Sequence, residues 1–128
     1  MKTGKHFTNL MVWHKAANVA SPVYAILKKF PSYEKFALCD QIRRATISIS
    51  SNIAEGQSRG SDRAFINHLY IAKGSASEVE SQLYVAVILG YISQEEIKET
   101  VSELEGISQM LMKLILSIER RSNNNDKF

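Results

Sequence analysis

The chain has 128 residues, the size of one domain, and 45% of them are hydrophobic, which suits a packed core and excludes a disordered chain. Sixteen Lys and Arg against thirteen Asp and Glu leave a formal charge of +3. No apolar run reaches the roughly 20 residues that span a bilayer. Met1 to Asn9 lacks the apolar stretch of a signal peptide, and a single cysteine, Cys39, excludes an internal disulfide framework and a Cys-based zinc site.

Apolar residues recur with a helical period along the chain, and only two prolines interrupt them. The first helix is expected over about residues 9–29. Its core stripe is Leu10, Trp13, Ala17, Ala20, Tyr24 and Leu27, widened by Val12, Ala16, Val19 and Val23. Pro22 removes the amide that would bond to Asn18. Either a kink falls there, or Ser21-Pro22 ends one helix and starts another. Phe30-Pro31-Ser32 terminates the segment. The second helix is expected over about residues 33–55, stopping at Gly56, with Leu38, Ile42, Ala45, Ile49 and Ile53 inside. Ser61 or Asp62 then caps a third helix that ends at Leu89-Gly90 and buries Phe65, Leu69, Ala72, Ala76, Leu83 and Val87. Ser93-Gln94-Glu95-Glu96 is a capping box for a fourth helix, whose stripe is Ile97, Val101, Leu104, Ile107, Leu111, Ile115 and Ile118. Residues 122–128 contain three consecutive Asn and are expected to form a disordered tail behind a single domain at 1–121. Four long helices with short connectors predict an all-α, antiparallel, up-down-up-down four-helix bundle.

The middle helices carry more apolar surface than one bundle core uses. Phe36, Ile47 and Ala54 lie on a second face of the second helix, and Ile71, Val85 and Leu89 lie on the far side of the third. A helix apolar on two sides is buried on both, so these residues are candidates for an interface with further copies of the chain. A polar edge accompanies them: Gln41, Arg44, Ser48, Asn52 and Glu55 on the second helix, Lys73 and Glu80 on the third. Charges beside a core must be paired, which predicts a network in which Glu55 or Glu80 answers Arg44 or Lys73 and fixes helix register.

Charge is distributed unevenly. Residues 1–60 carry nine Lys and Arg against three acids, a net of +6, and residues 61–128 carry seven against ten, a net of −3. Such asymmetry points to an anionic partner, RNA or DNA. Arg59 and Arg63 flank the loop that opens the third helix, and Lys15, Lys28, Lys29, Lys35 and Arg43, with Lys2 and Lys5, extend a basic track. Without a base-reading motif, the contact is expected to be independent of sequence. The competing reading is a protein scaffold or adaptor with no nucleic-acid role, docking a protein partner through exposed aliphatics such as Ile47 and Ile71.

Enzyme chemistry finds little support. His6, His14 and His68 are scattered outside any Glu-x-x-His pattern, and phosphate-loop and Rossmann fingerprints are missing. Ser50, Ser51 and Ser58 have no identifiable base, and Cys39 beside the core stripe reads as a structural thiol. No catalytic residue, metal or cofactor is expected, and the chain is expected to work in the cytoplasm without membrane contact.

Several segments carry a family resemblance: Val12-Trp13-His14-Lys15-Ala16, Phe30-Pro31, Gln41-Ile42-Arg43-Arg44-Ala45, Ser48-Ile49-Ser50-Ser51-Asn52-Ile53-Ala54-Glu55-Gly56, Ser58-Arg59-Gly60, Leu69-Tyr70-Ile71-Ala72-Lys73-Gly74-Ser75 and Leu89-Gly90-Tyr91-Ile92. Over roughly residues 7–118 this succession resembles the four-helix-bundle proteins encoded in intervening sequences of bacterial 23S ribosomal RNA genes. More distantly, it is similar to the accessory variability proteins of diversity-generating retroelements, which bind nucleic acid and a reverse transcriptase. The resemblance implies an antiparallel bundle assembled as a barrel-like homopentamer, and it supplies no catalytic residues. Ser50-Ser51, where relatives often carry a Pro, and Pro22 are departures from the pattern that leave the implied fold intact.

Overall fold

The structure, a computed structural model, describes residues 6–126. After a 3₁₀ turn at Phe7–Asn9 the chain forms α1 (Met11–Asn18), α2 (Ala20–Leu27), α3 (Leu38–Ser58), α4 (Asp62–Ile88) and α5 (Gln94–Asp126). Together α1 and α2 form one interrupted rod. The break at Val19 lies one turn ahead of Pro22, whose ring crowds the carbonyl of Asn18 and offers it no amide. Ser21 and Pro22 consequently sit in the first turn of α2, where amides have no helical partner in any case. The buried face of this rod is rotated from the expected stripe. Val12, Ala16, Val19, Val23, Ile26 and Leu27 are buried, Trp13, Ala17 and Ala20 are half-buried, and Tyr24 is exposed. A rod apolar on most sides does not choose its own inner face, and here the aliphatic side chains took it ahead of Tyr24.

The α2–α3 connector contains a 3₁₀ turn at Ser32–Glu34 and a non-helical Ala37 (φ −119°, ψ −101°), so α3 starts at Leu38, five residues later than expected. The Glu34 carboxylate accepts the Leu38 amide at 3.3 Å and caps the new start. At its other end α3 runs through Gly56 to Ser58, which corrects the expected stop. Gly56 is there for space: a Cβ on it would lie 2.7 Å from the Cβ of His68 and 3.2 Å from the Phe65 ring. The reversal falls on Gly60 (φ +83°), and the Ser61 hydroxyl accepts the Ala64 amide at 3.1 Å to open α4.

At the far end of α4, Gly90 (φ +81°) closes the helix, with Tyr91 N–H donating to Ala86 C=O and Gly90 N–H to Val87 C=O, both at 3.0 Å. The capping box then forms as expected. Ser93 N–H donates to the Glu96 carboxylate at 3.0 Å, and Glu96 N–H donates to the Ser93 hydroxyl at 3.1 Å. From there α5 continues to Asp126, through residues 122–126 of the expected tail, while Lys127 and Phe128 lie outside the described residues. Ile118 is buried and Arg121 pairs with Asp62 at 2.8 Å, so these last turns grow from a segment already packed.

The rods form a square. The rod α4 packs between α3 and α5, and the α1–α2 rod closes the opposite side against both. Cross-links fix the antiparallel order: Lys29 with Glu96 and Tyr91 with Glu34 tie connectors at one end, and Arg121 with Asp62 ties helices at the other. Ile42, Ile49, Ile53, Leu69, Leu83, Leu104, Leu111 and Ile115 are fully buried between the rods. Each such side chain stabilises the fold by about 1.5–3 kcal/mol. Among the described residues there is no strand, and no helix is long and apolar enough to cross a membrane.

Gly56→Ala should destabilise the protein by about 2 kcal/mol in urea melts, because His68 Cβ is backbone-fixed and cannot swing away. Gly74→Ala, into open space on the same helix pair, should instead stabilise by about 0.5–1 kcal/mol. Equal effects at the two positions would remove the packing explanation. A second expectation concerns pH. The hydrogen bond from Lys29, with the Ser93 amide, holds the Glu96 carboxyl down at about 2 against an ordinary 4.5. A carboxyl depressed by folding adds stability that is complete above its unfolded pKa and is lost as pH falls through the folded value. Wild type should exceed Glu96→Gln in urea midpoint at neutral pH, with the gap closing between about 4.5 and 2. A gap indifferent to pH would show that the carboxylate charge contributes nothing.

Candidate nucleic-acid interface

Three anchors hold the connector between α2 and α3. Phe30 is buried against Tyr91 with ring centres 5.5 Å apart, and the Tyr91 hydroxyl donates to Glu34 at 2.6 Å, which drives the phenol pKa well above its usual range. Lys29 pairs with Glu96 at the start of α5. From α3, the Arg43 guanidinium donates to the carbonyl of Lys35 at 2.9 Å. Between these anchors Pro31 is extended (φ −63°, ψ 148°), and the chain bends over a groove of about 510 Å³. Tyr24, Leu27, Phe30 and Cys39 supply its apolar wall, and Lys28, Lys35 and Arg43 supply its charge.

This sorts the seven expected basic residues. Lys28, Lys35 and Arg43 converge on one groove. Lys29 stands beside them with its charge answered by Glu96. Arg59 and Arg63 lie at the opposite end of the bundle, with Arg43 and Arg59 about 24 Å apart along α3 at the helical rise. Arg59 is held by Glu55 at 2.6 Å, whereas Arg63 is exposed and forms no ion pair among the described residues. Lys15 lines a separate groove with Ser102, Glu103 and Gly106 of α5. Lys2 and Lys5 lie outside the described residues. The single track of the sequence reading is thus a compact cluster, a pair at the opposite end and Lys15 apart from both.

Two residues near the cluster stand elsewhere than the sequence pattern placed them. Tyr24, expected in the core, stands at the rim and also lines the shallow surface beside Ile47 that continues the groove along α2 and α3. Arg44, expected in a buried network, is 81% exposed and pairs with Asp40 one turn away at 3.1 Å. Asp40 also lies 3.7 Å from Arg43, so it offsets part of the local charge. Cys39 forms the groove floor. Burial raises its thiol pKa, Arg43 opposes that, and Glu34 adds to it. A thiol held protonated in this way is a poor nucleophile.

The expected pairing of Glu55 or Glu80 with Arg44 or Lys73 does not form. The network between α3 and α4 uses shorter side chains. Asn52 donates to the hydroxyl and carbonyl oxygens of Ser48, both at 2.9 Å, and the Ser48 and Ser75 hydroxyls bond across the seam at 2.9 Å. One turn further, Glu55 stands 3.7 Å from His68, and the Arg59 hydrogen bond holds the Glu55 pKa below its usual value. Glu80 faces α5 instead, where burial and then the charge of Glu105 push its pKa up. Arg44 instead faces solvent and pairs with Asp40, and Lys73 is half-buried and forms no ion pair among the described residues. Gln41 is exposed.

Of the expected interface residues, Phe36, Ile47, Ile71, Val85 and Leu89 are all exposed in the single chain and Ala54 is half-buried. They do not form one patch. Ile47 borders the groove rim, Ile71, Val85 and Leu89 follow the outer face of α4, and Phe36 lies on the connector.

Comparison with known proteins agrees with this architecture. A crystal structure of a protein with unknown function from the S23 ribosomal protein family of Bacteroides thetaiotaomicron is similar at 29% identity. It covers 82% of this chain and 98% of that one, with a TM-score of 0.75. No curated protein matches. The family model of the 23S rRNA-intervening sequence protein matches residues 8–113, including the whole of α1 to α4 and the greater part of α5. The chain belongs to the 23S rRNA-intervening sequence protein family.

Proposed function

We propose that the protein is a non-enzymatic, self-associating bundle of the cytoplasm that binds RNA or DNA through its phosphates, using the groove between α2 and α3. The observation that carries this reading is the convergence of Lys28, Lys35 and Arg43 on one cleft, with Arg43 braced on the carbonyl of Lys35. A cation held by a backbone contact loses less freedom when it meets a phosphate oxygen. The neighbouring acid Glu34 is engaged by the Leu38 amide and the Tyr91 hydroxyl, so its charge is turned inward. Such a cluster reads charge and not sequence, because phosphate contacts carry no base information.

Self-association supplies the remaining strength. One groove offers few phosphate contacts, and copies arranged around an axis, as in the homopentamer that the family resemblance implies, multiply them. The exposed aliphatics Ile71, Val85 and Leu89 on α4 support such contacts between copies. A ring of this kind would bind as one multivalent surface.

Fluorescence anisotropy at low salt should detect binding to both duplex DNA and structured RNA. Lys28→Glu with Lys35→Glu should weaken both by about tenfold or more and flatten the dependence of log affinity on log salt by about 1–2. Unchanged affinity would remove the groove from the reading. Light scattering should give a multiple of the 14.4 kDa protomer, and Ile71→Asp with Val85→Asp should reduce it towards one. A wild type that is monomeric at micromolar concentration would end the oligomer reading and leave those aliphatics to a protein partner.

A further inference from the structure

The connector sorts its side chains by kind. Its one acid, Glu34, is spent on contacts within the fold, whereas Tyr33 is 74% exposed and Phe36 is 86% exposed. Large aromatic rings are seldom left this open, because burying them is worth more than almost any other side chain. Both lie in the irregular connector, Tyr33 in the 3₁₀ turn after Pro31 and Phe36 ahead of the start of α3. Neither ring is adrift. Tyr33 meets the anchored Tyr91 edge-on at 6.1 Å, and the Lys35 ammonium lies 5.4 Å from the centre of the Phe36 ring. Two open rings therefore stand on either side of Glu34 and beside Lys35, which with Lys28 and Arg43 charges the adjoining groove.

We infer that this connector is a stacking platform for single-stranded nucleic acid, with Tyr33 and Phe36 receiving unpaired bases while Lys28, Lys35 and Arg43 hold the flanking phosphates. The inference rests on the nucleic-acid reading above and narrows it to one class of ligand. Charge alone would suit any polyanion. Rings alone would suit an apolar protein surface, but Lys35 against the Phe36 ring and the three cations of the adjoining groove disfavour one. Bases joined by phosphates satisfy both halves of the site, and only an unpaired strand can turn base faces outward onto the rings. Because every base has a π-face, the platform tolerates any sequence.

The test compares three probes at equal low salt: an oligouridylate of about a dozen nucleotides, a duplex of similar length, and linear polyphosphate, which has charge without bases. Tyr33→Ala with Phe36→Ala should cost about tenfold or more on the single strand and leave the duplex and polyphosphate within about twofold. Tyr33→Phe with Phe36→Tyr, which keeps both rings, should retain single-strand affinity. Equal loss on all three probes, or no loss on the single strand, overturns the platform while leaving phosphate binding standing. A fall in particle mass on removing the rings assigns them to contacts between copies and likewise overturns it. Failure of the broader reading has a different signature: Lys28→Glu with Lys35→Glu would leave all three affinities unchanged.

Discussion

At Gly56 the backbones of α3 and α4 approach so closely that a methyl group has no room between them. That contact governs what the rest of the seam can hold. Hydroxyls fit, so Ser48 and Ser75 bond directly across it, and the imidazole of His68 is brought beside Glu55. Arg44 takes no part in the seam and pairs with Asp40 at the surface. With α3 and α4 locked as a pair, α5 takes its register from α4, and the α1–α2 rod fills the remaining side as the element that tolerates a break. Small residues serve here as steric permission for close packing.

The opposite end is organised by hydrogen bonds and ion pairs. Tyr91, Glu34, Lys29 and Glu96 join two connectors that are more than fifty residues apart in sequence. The contacts are partly exposed, and exposed ion pairs add little stability individually. Their effect is positional. They hold an irregular segment at a fixed angle over the α2–α3 groove, turn its acid inward and leave its rings and cations outside. A flexible connector would lose that arrangement to conformational entropy before any ligand arrived.

The charge distribution acquires meaning only through this geometry. A net of +6 in residues 1–60 is compatible with cations spread evenly over a rod. Folding instead separates Arg59 from Arg43 by the length of α3, neutralises Lys29 and Arg59 locally, and gathers Lys28, Lys35 and Arg43. The proposed binding surface is therefore smaller than the basic half of the chain, and its aromatic component has no counterpart in the charge count.

Signals that act within one turn of helix were legible from the residues alone. The Ser93–Glu96 box and the Gly90 stop depend on partners three to five residues away, and the structure chose Ser61 over Asp62 as the cap. The period of the apolar residues identified most of the cores of α3, α4 and α5, with Leu38 and Val87 half-buried and Val79 and Ala86 buried beside them. Gly56 was misread because a glycine after an apolar run fits either a helix end or a close approach, and its own neighbourhood in sequence does not distinguish them. The inner face of α1 and α2 was misread because Tyr24 and Val23 are both apolar, and only contact with α3 and α5 selected the valine. Local hydrogen bonding and apolar period thus determined four rods and their order. Which side of each rod faced inward, which charges met, and which rings remained in solvent were decided by contacts between distant segments, because shape complementarity and Coulomb partners do not exist until the rods are packed together.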